Sequence, residues 1–386
     1  MIHRIINPLK TNSFFLFGAR GTGKSTFLAE YFPKNESVMW VDLLDPEEED
    51  RFSRNPGELG ERLDAAGDKI QWVVLDEIQK VPRLLDIVHR RVEASSTRFA
   101  MTGSSARKLK REGTNLLAGR AFVYHLFPFT HRELGADFDL DSALTLGTLP
   151  GLSKFSTREE QNAFLRAYAL TYLKEEVWAE HMVRKLDPFR KFMEIAAQCN
   201  GEIINYSNIA NDVGADTKTV QSYFEVLEDT LVGFLLEPYH RSIRKRQRQA
   251  PKFYLFDPGV RRALDRTLTV ELKPGTYAYG KAFEHFVIVE ALRLAAYGQT
   301  DFRFSYLRTK DNVEIDLIVE RPGTPTALVE IKSSDRIDAR DTRPLERFAA
   351  DVPGAEAWCL SRDRVARKIG SVNALPWLQG LAELGL

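Results

Sequence analysis

Cysteine is nearly absent from this sequence, as are long apolar runs, an excess of one charge and internal repeats, and each absence removes a class of protein. Only Cys199 and Cys359 occur among 386 residues. They lie far apart and form no C-x-x-C pair, which argues against a disulfide scaffold and a cysteine zinc site and leaves two buried thiols as the expectation. No apolar run approaches the roughly 20 residues that a membrane-crossing helix needs, so no membrane partner is expected. The start, MIHRIINPLK, carries basic residues but neither an apolar core nor a small-residue cleavage site, so a secretory signal is not expected and a cytoplasmic location is. The 54 basic and 54 acidic side chains cancel to a net charge of zero. No whole-molecule field therefore selects a polyanionic partner.

What is present is organised. A chain of 386 residues fits two or three domains, and 44% hydrophobic with 28% charged residues is ordinary globular composition. Charge is local: PEEED at 46–50 is acidic, while HRSIRKRQRQAPK at 240–252 carries Arg241, Arg244, Lys245, Arg246, Arg248 and Lys252 with no acid between them. Any polyanion contact is expected there. Apolar or β-branched runs at 14–17, 38–43, 72–75, 98–102 and 121–126 alternate with helix-length stretches, which predicts a parallel sheet covered by helices. From about Leu152 to Asp265 the apolar period is helical. From about residue 277 a helix precedes strand-like runs at 302–307, 313–319 and 327–331, predicting a second α/β region. The expected boundaries are 1–150, 151–270 and 271–386.

The first region contains GARGTGKST at 18–26, directly after a hydrophobic strand and before a helical stretch. Gly18, Gly23, Lys24 and Ser25 fill the pattern G-x-x-x-x-G-K-[ST], and Arg20, Gly21, Thr22 and Thr26 complete the cradle. Its glycines let backbone N–H groups converge on phosphate oxygens, the helix start adds a positive end, Lys24 reaches the β- and γ-phosphates, and Ser25 holds Mg²⁺. ATP and Mg²⁺ are the expected ligands. Trp72–Leu75 leads into Asp76 and Glu77, a Walker B pattern in which Asp76 faces the metal and Glu77 polarises water. By themselves the two acids are equally read as caps of the following helix.

In the middle region, residues 207–230 read as helix, turn, helix. One apolar stripe holds Ile209, Ala210 and Val213, another Val220, Phe224 and Leu227, with Gly214 between them. A cap at Asp216 or Thr217 turns Lys218, Thr219, Gln221 and Ser222 outward, where they suit a DNA groove. Strand-like runs at 231–236 and 253–256 flank the basic stretch as a hairpin does. The whole resembles a winged helix with a basic wing, used either for DNA contacts or only for packing and oligomer contacts.

In the last region, Asp316 lies in VEIDLIV, Glu330 and Lys332 lie in LVEIKSS, and Glu284 lies on the preceding helix. Alternation puts Glu330 and Lys332 on one strand face, and adjacent strands bring Asp316 beside them. This order resembles the PD-(D/E)XK nuclease fold. The resemblance implies Mg²⁺ held by Asp316 and Glu330 with help from Glu284, and an attacking water oriented by Lys332. The same fold also serves for DNA binding or assembly alone.

GARGTGKST, VVLDEIQK, TGSSARKL, LLAGRAFVYHLFPFTHREL, TYLKEEV, KFYLFDPGVRRAL and the terminal E, D, E-x-K set together resemble the bacterial and archaeal AAA+ P-loop ATPases that carry a winged-helix middle and a restriction-endonuclease-like C-terminal domain. That resemblance covers nearly the whole chain. It implies an AAA+ parallel five-stranded sheet core, then an all-α winged helix with a small β-hairpin, then an α/β restriction-endonuclease-like domain. It also places a polar sensor at Ser104, with Ser105 second, and an arginine finger at Arg120 that completes a neighbour's site in a ring, a hexamer in this family. Arg120 is otherwise a solvated arginine at a helix C-terminus. The sensor is serine rather than the commoner asparagine, and no sensor-2 arginine is assignable. DNA, duplex or branched like a Holliday junction, is the implied partner. The expected activity is a DNA-moving ATPase, with an ATP-regulated Mg²⁺-dependent nuclease and a nucleotide-switched scaffold as alternatives.

Overall fold

The structure, a computed structural model, describes residues 2–33, 35–105, 107, 109, 117–172, 186–239, 249–309, 314–350, 352 and 354–386. Two units form: one from Met1–Phe129, Leu149–Gly151 and Val226–Val232, the other from Thr130–Thr148, Leu152–Glu225 and Gly233–Leu386.

In the first unit, β1 (Ser13–Phe17), β2 (Val38–Asp42), β3 (Trp72–Asp76), β4 (Arg98–Gly103) and β5 (Ala121–His125) run in the order β2-β3-β4-β1-β5. Every neighbouring pair is parallel. The sequence SFFLF suits an interior strand because helices cover both faces of a parallel sheet, and all of its residues are buried. Phe15 and Phe17 stack with centroids 5.4 Å apart, while Phe14 meets Phe32 and Trp72. The helices are α1 (Lys24–Tyr31), α2 (Pro46–Arg54), α3 (Glu58–Ala66) and α4 (Leu84–Ala94). The acidic run PEEED has a local cause. Asp45 caps α2 by accepting the Glu47 N–H at 2.9 Å, Pro46 occupies the first turn, and Glu47, Glu48 and Glu49 face the positive helix end. Glu48 also pairs with Arg51 and Arg62, and Glu49 with Lys80.

The second unit begins with α5 (His131–Leu134), α6 (Leu140–Leu146) and α7 (Arg158–Ala167). A helical group of α8 (Leu186–Gln198), α9 (Tyr206–Val213) and α10 (Thr217–Asp229) follows, the last turn of α10 from Val226 belonging to the first unit. After it come β6 (Gly233–Pro238), β7 (Lys252–Leu255), α11 (Pro258–Leu264) and α12 (Tyr277–Gly298). The chain ends with β8 (Arg303–Arg308), β9 (Glu314–Glu320), β10 (Ala327–Lys332), α13 (Ala339–Ala350), β11 (Glu356–Ser361), β12 (Arg367–Ile369), β13 (Val372–Pro376) and α14 (Trp377–Glu383).

These eight strands form one mixed sheet, β12-β13-β11-β10-β9-β8-β6-β7. The hairpin expected of the helical region is present as the antiparallel pair β6 and β7, but it is not self-contained. Glu237 and Pro238 of β6 pair in parallel with Ser305 and Tyr306 of β8, so the hairpin extends the C-terminal sheet. Strands β11 to β13, which the sequence pattern did not mark, complete the other edge. Helix α12 is apolar on nearly every side, and its Phe283, Phe286, Val287, Ile288, Val289 and Leu294 fill the centre of this core.

Close backbone approach ties α6 to α11. Asp257 caps α11, accepting N–H groups of Val260 at 3.1 Å and Thr148 at 2.8 Å, and Arg293 donates to the Phe256 carbonyl beside it. Complete burial raises the Asp257 carboxyl above its ordinary range, although Arg293 and these N–H groups oppose the shift. A Cβ on Gly259 would lie 1.8 Å from the Leu146 carbonyl oxygen, and one on Gly147, at φ +74°, 1.9 Å from Asp257 Oδ1. Gly259→Ala is expected to cost about 1–3 kcal/mol by overpacking. Gly147→Ala is expected to cost more, because roughly 1–2 kcal/mol of backbone strain adds to its overlap with the buried Asp257 carboxylate. Urea midpoints lowered by both variants, and further by Gly147→Ala, are the expected measurement.

Candidate functional site

The phosphate-loop motif sits where a parallel sheet exposes its carboxyl ends. β1 ends at Phe17, the loop follows, and α1 starts at Lys24. Gly18 is at the tightest point: a Cβ there would lie 2.4 Å from the Leu126 carbonyl oxygen and 2.8 Å from Thr22 Oγ1. Gly21 and Gly23 take φ +78° and +93°, the left-handed region that glycine enters without steric cost. Thr22 Oγ1 donates to the Ala19 carbonyl at 2.9 Å, and Arg4 donates to the Thr22 carbonyl at 3.2 Å and lies over the Phe129 ring. Arg4 was not singled out from sequence, since a basic residue near a chain start has no distinguishing pattern.

The loop fits a bound phosphate on its own geometry. No side chain caps α1 and no acid occupies its first turn, so the N-terminal amides and their positive end carry no internal anion. Lys24 is buried with its Nζ donating to the Gly18 carbonyl at 2.8 Å, within the loop it would serve. Arg20, Ser25 and Thr26 face outward.

Asp76 ends β3 and Glu77 follows in a left-handed conformation, φ 59° and ψ 50°, which is costly for a side chain other than glycine and concentrates at functional sites. This turn brings Glu77 Oε1 to 3.8 Å from Lys24 Nζ. Thr102 on β4 joins the two acids, its hydroxyl donating to Asp76 Oδ1 and accepting the Glu77 N–H at 2.8 Å. Gln79 Nε2 donates to Glu77 Oε2 and lies 3.5 Å from Ser104 Oγ, while Gln79 Oε1 is buried without a hydrogen-bond partner among the described residues. Ser104 and Ser105 are both buried beside this group. Thr102 and Gln79 are the residues that sequence reasoning missed. Alternation along β4 gives Thr102 one face and Ser104 the same face a step later, so the strand end was legible but the contacting hydroxyl was not.

Arg120 stands apart. Strand register sets Ala121 opposite Ser13, whereas the phosphate loop leaves β1 after Phe17, opposite His125. Arg120 therefore lies at the other end of the sheet, where it pairs with Glu93 of α4.

In the helical group, Asn205 caps α9, Gly214 closes it at φ 73°, and Asp216 accepts the Thr219 N–H at 2.9 Å and its hydroxyl at 2.6 Å. Lys218 and Gln221 are exposed, Thr219 and Ser222 half-buried, and Val220 and Phe224 buried. The same helix thus has a packed face and an open polar face. Ile203, between α8 and α9, bridges antiparallel to Lys252 of β7. Arg241, Arg244, Lys245, Arg246 and Arg248 lie outside the described residues, as does most of TYLKEEV.

The terminal residues do come together. Asp316 Oδ2 accepts the Ile331 N–H at 2.8 Å, Lys332 Nζ lies 2.5 Å from Glu330 Oε1, and Glu284 Oε1 accepts from Tyr254 Oη at 3.0 Å. Lys281 reaches Glu284 Oε2 at 3.3 Å. Lys252, read from sequence as the last base of the stretch where polyanion contact is expected, is buried here against Glu284 and Glu314. Burial, then the neighbouring Glu330 and Glu284, raises the Asp316 carboxyl well above its ordinary range. Burial also raises Glu330, against the pull of Lys332. For Lys332 burial works to lower the pKa, but Glu330 and Asp316 outweigh it and the net shift is upward. Among the described residues no group of three or more His, Cys, Asp or Glu side chains converges to hold a metal ion. Cys359, opposite Glu330 on β11, is a buried thiol pushed up to about 12 by burial, and Cys199 is half-buried.

Residues 10–135 match the family profile described as an AAA domain. Residues 137–271 and 279–379 match two domains of unknown function, DUF8612 and DUF4143. An uncharacterized protein of Mycobacterium tuberculosis is 26% identical over 362 residues, covering 91% of this chain and 78% of its own length. An uncharacterized protein of Mycobacterium bovis gives the same figures. One from Haemophilus influenzae is 22% identical over 249 residues, 60% of each chain. The AAA match indicates a P-loop ATPase domain, a family that binds nucleotide, typically with Mg²⁺. Among the described residues no helix is long and apolar enough to cross a membrane.

Two measurements address these sites. Thr102→Val removes the hydroxyl that fixes Asp76 and Glu77, and is expected to lower ATP turnover by roughly 10²-fold, as loss of one preorganised group does, with nucleotide binding little changed. Asp316 has a raised folded-state pKa, so its contribution to stability is present in acid and is lost as pH rises from the ordinary carboxylate range through that raised value. Asp316→Asn, which keeps an acceptor for Ile331, is expected to raise Tm relative to the unaltered chain more at pH 8 than at pH 5.

Proposed function

We propose that the chain is an oligomeric AAA+ ATPase that binds DNA and uses ATP hydrolysis to move or remodel duplex or branched, Holliday-junction-like DNA. The observation that carries the ATPase half is the junction of the uncapped glycine-rich loop, Lys24, and the Asp76–Glu77 pair at the carboxyl ends of β1 and β3. Ligands of open α/β sheets bind at that edge. The proposed architecture has the ATPase domain at 1–150, a winged helix at 151–270 and a nuclease-like domain at 271–386.

Each residue has a task in this reading. Amides of the loop from Gly18 to Thr26 cradle the phosphates, and Lys24 turns from the Gly18 carbonyl to the β- and γ-phosphates. Ser25 and Asp76 would hold Mg²⁺, which when bound neutralises charge on the phosphate oxygens. Thr102 fixes the Asp76 carboxylate and the Glu77 backbone, Gln79 holds the Glu77 carboxylate, and Glu77 orients the attacking water. Ser104 is the proposed sensor. Arg120, which pairs with Glu93 at the end of the sheet away from its own loop, is the proposed arginine finger for a neighbour's site in a ring, by family resemblance a hexamer.

DNA binding is supported by the helix pair α9 and α10. Its capped start, buried rear face and exposed Lys218 and Gln221 match what a groove-reading helix needs, with Thr219 and Ser222 beside them. The basic stretch containing Arg241, Arg244, Lys245, Arg246 and Arg248 is the proposed phosphate-contacting wing.

ATP turnover measured with no DNA and with linear, forked and four-way DNA tests this reading. Stimulation by at least one DNA shape is expected, with Lys24→Ala or Glu77→Gln reducing turnover by about 10²-fold or more. Lys218→Glu combined with Gln221→Glu is expected to abolish stimulation while sparing basal turnover. Equal rates with every DNA would refute the DNA-driven function, and a monomeric native mass in ATP would refute the ring.

A further inference from the structure

The carboxylate cluster of the C-terminal sheet contains a cation of its own. Lys252 lies on β7, where its backbone pairs with Leu236 on one side and bridges to Ile203 on the other, so the origin of its side chain is fixed. That side chain is 1% exposed; its ammonium contacts Glu314 and lies 3.7 Å from Glu284 Oε1. The ring of Tyr306 lies below it, 5.4 Å from Nζ to the centroid. Taking a lysine this far from water is expensive unless opposite charge surrounds it. We infer that Lys252 is a built-in replacement for a divalent cation, and that the group formed by Glu284, Glu314, Asp316 and Glu330 is complete without metal.

Donor accounting agrees. Glu284 is met by Tyr254 and Lys281 as well as Lys252, Glu330 by Lys332, and Asp316 by the Ile331 N–H. A metal centre that activates water needs carboxylate oxygens left open toward the ion. Here both oxygens of Glu284, and Oε1 of Glu314 and of Glu330, face ammonium or hydroxyl groups of the chain, and Asp316 Oδ2 faces an amide N–H. The ammonium of Lys252 faces Glu284 and Glu314, that of Lys281 lies between Glu284 and Glu202, and that of Lys332 lies against Glu330. Lys252 belongs to none of the D and E-x-K positions of the motif. It arrives from β7, at the end of the basic stretch, which is why the motif taken by itself suggests an open metal site.

Removing the Lys252 charge takes a counter-charge from Glu284 and Glu314 and makes room for an ion. The test uses the full chain with Asp76→Asn, so that the phosphate loop contributes no metal ligand, in the absence of nucleotide. Free Mn²⁺ is followed by electron paramagnetic resonance during titration with protein. With Lys252 intact no stoichiometric Mn²⁺ binding is expected. With Lys252→Met one Mn²⁺ per chain is expected, lost again when Asp316→Asn is added. Stoichiometric binding with Lys252 intact that disappears in Asp316→Asn would overturn the inference, and so would a folded Lys252→Met chain that binds no Mn²⁺. Lys252→Gln, closer to lysine in polarity, replaces Lys252→Met if circular dichroism shows the latter unfolded. The arm with Lys252 intact decides against the inference without either variant.

Discussion

A carboxylate withdrawn from water must be met by donors, and that requirement shapes both candidate sites. At the sheet edge of the first unit, Asp76 is met by Thr102 and Glu77 by Gln79, with Lys24 nearby. In the second unit, Asp257 is met by Thr148 and Val260, Asp316 by Ile331, and Glu284 by Tyr254, Lys252 and Lys281. The two outcomes differ in what the donors leave open. Around the phosphate loop the helix amides remain uncapped and Lys24 is parked on a loop carbonyl, a contact it can exchange for a phosphate. Around Asp316 the acids are met by ammonium, hydroxyl and amide donors of the chain itself.

Sheet topology creates the first of these sites. The phosphate-loop strand β1 and the Asp76 strand β3 are not neighbours; β4 lies between them and ends in Thr102 and Gly103, with Ser104 next. Small residues there admit the neighbouring side chains: a Cβ on Gly103 would lie 2.9 Å from Gln79 Oε1. The left-handed turn at Glu77 is held by the Thr102 hydroxyl, so local strain is offset by a contact that also orients the acid. Geometry at one strand end thus sets the positions of both Asp76 and Glu77.

Much of this was legible in the chain itself. Runs such as SFFLF and WVVLD have the length and continuous apolarity of strands buried on both faces, and the observed strands begin and end within a residue or two of those runs. The helix-turn-helix was legible from apolar spacing, Gly214 and the Asp216 cap. The strands β11 to β13 were not. EAWCLS is strand-like, but RKI and VNALP are too short for a period to emerge. The hairpin β6–β7 was legible as a hairpin, yet its union with β8 depends on pairing across residues 238 and 306, which no local pattern encodes.

Sequence by itself determined the phosphate loop, the Asp76–Glu77 pair, the five-stranded parallel sheet and the order of acids in the last region, because each is written as contiguous spacing along one element. Tertiary structure alone decided that Thr102 is the hydroxyl joining Asp76 to Glu77, that Arg120 lies at the opposite end of the sheet from its own loop, and that Lys252 fills the acid cluster. The physical reason is common to all three. Strand register and sheet order set which side chains share a buried volume, and the cost of an unpaired buried charge then selects partners that are distant in sequence.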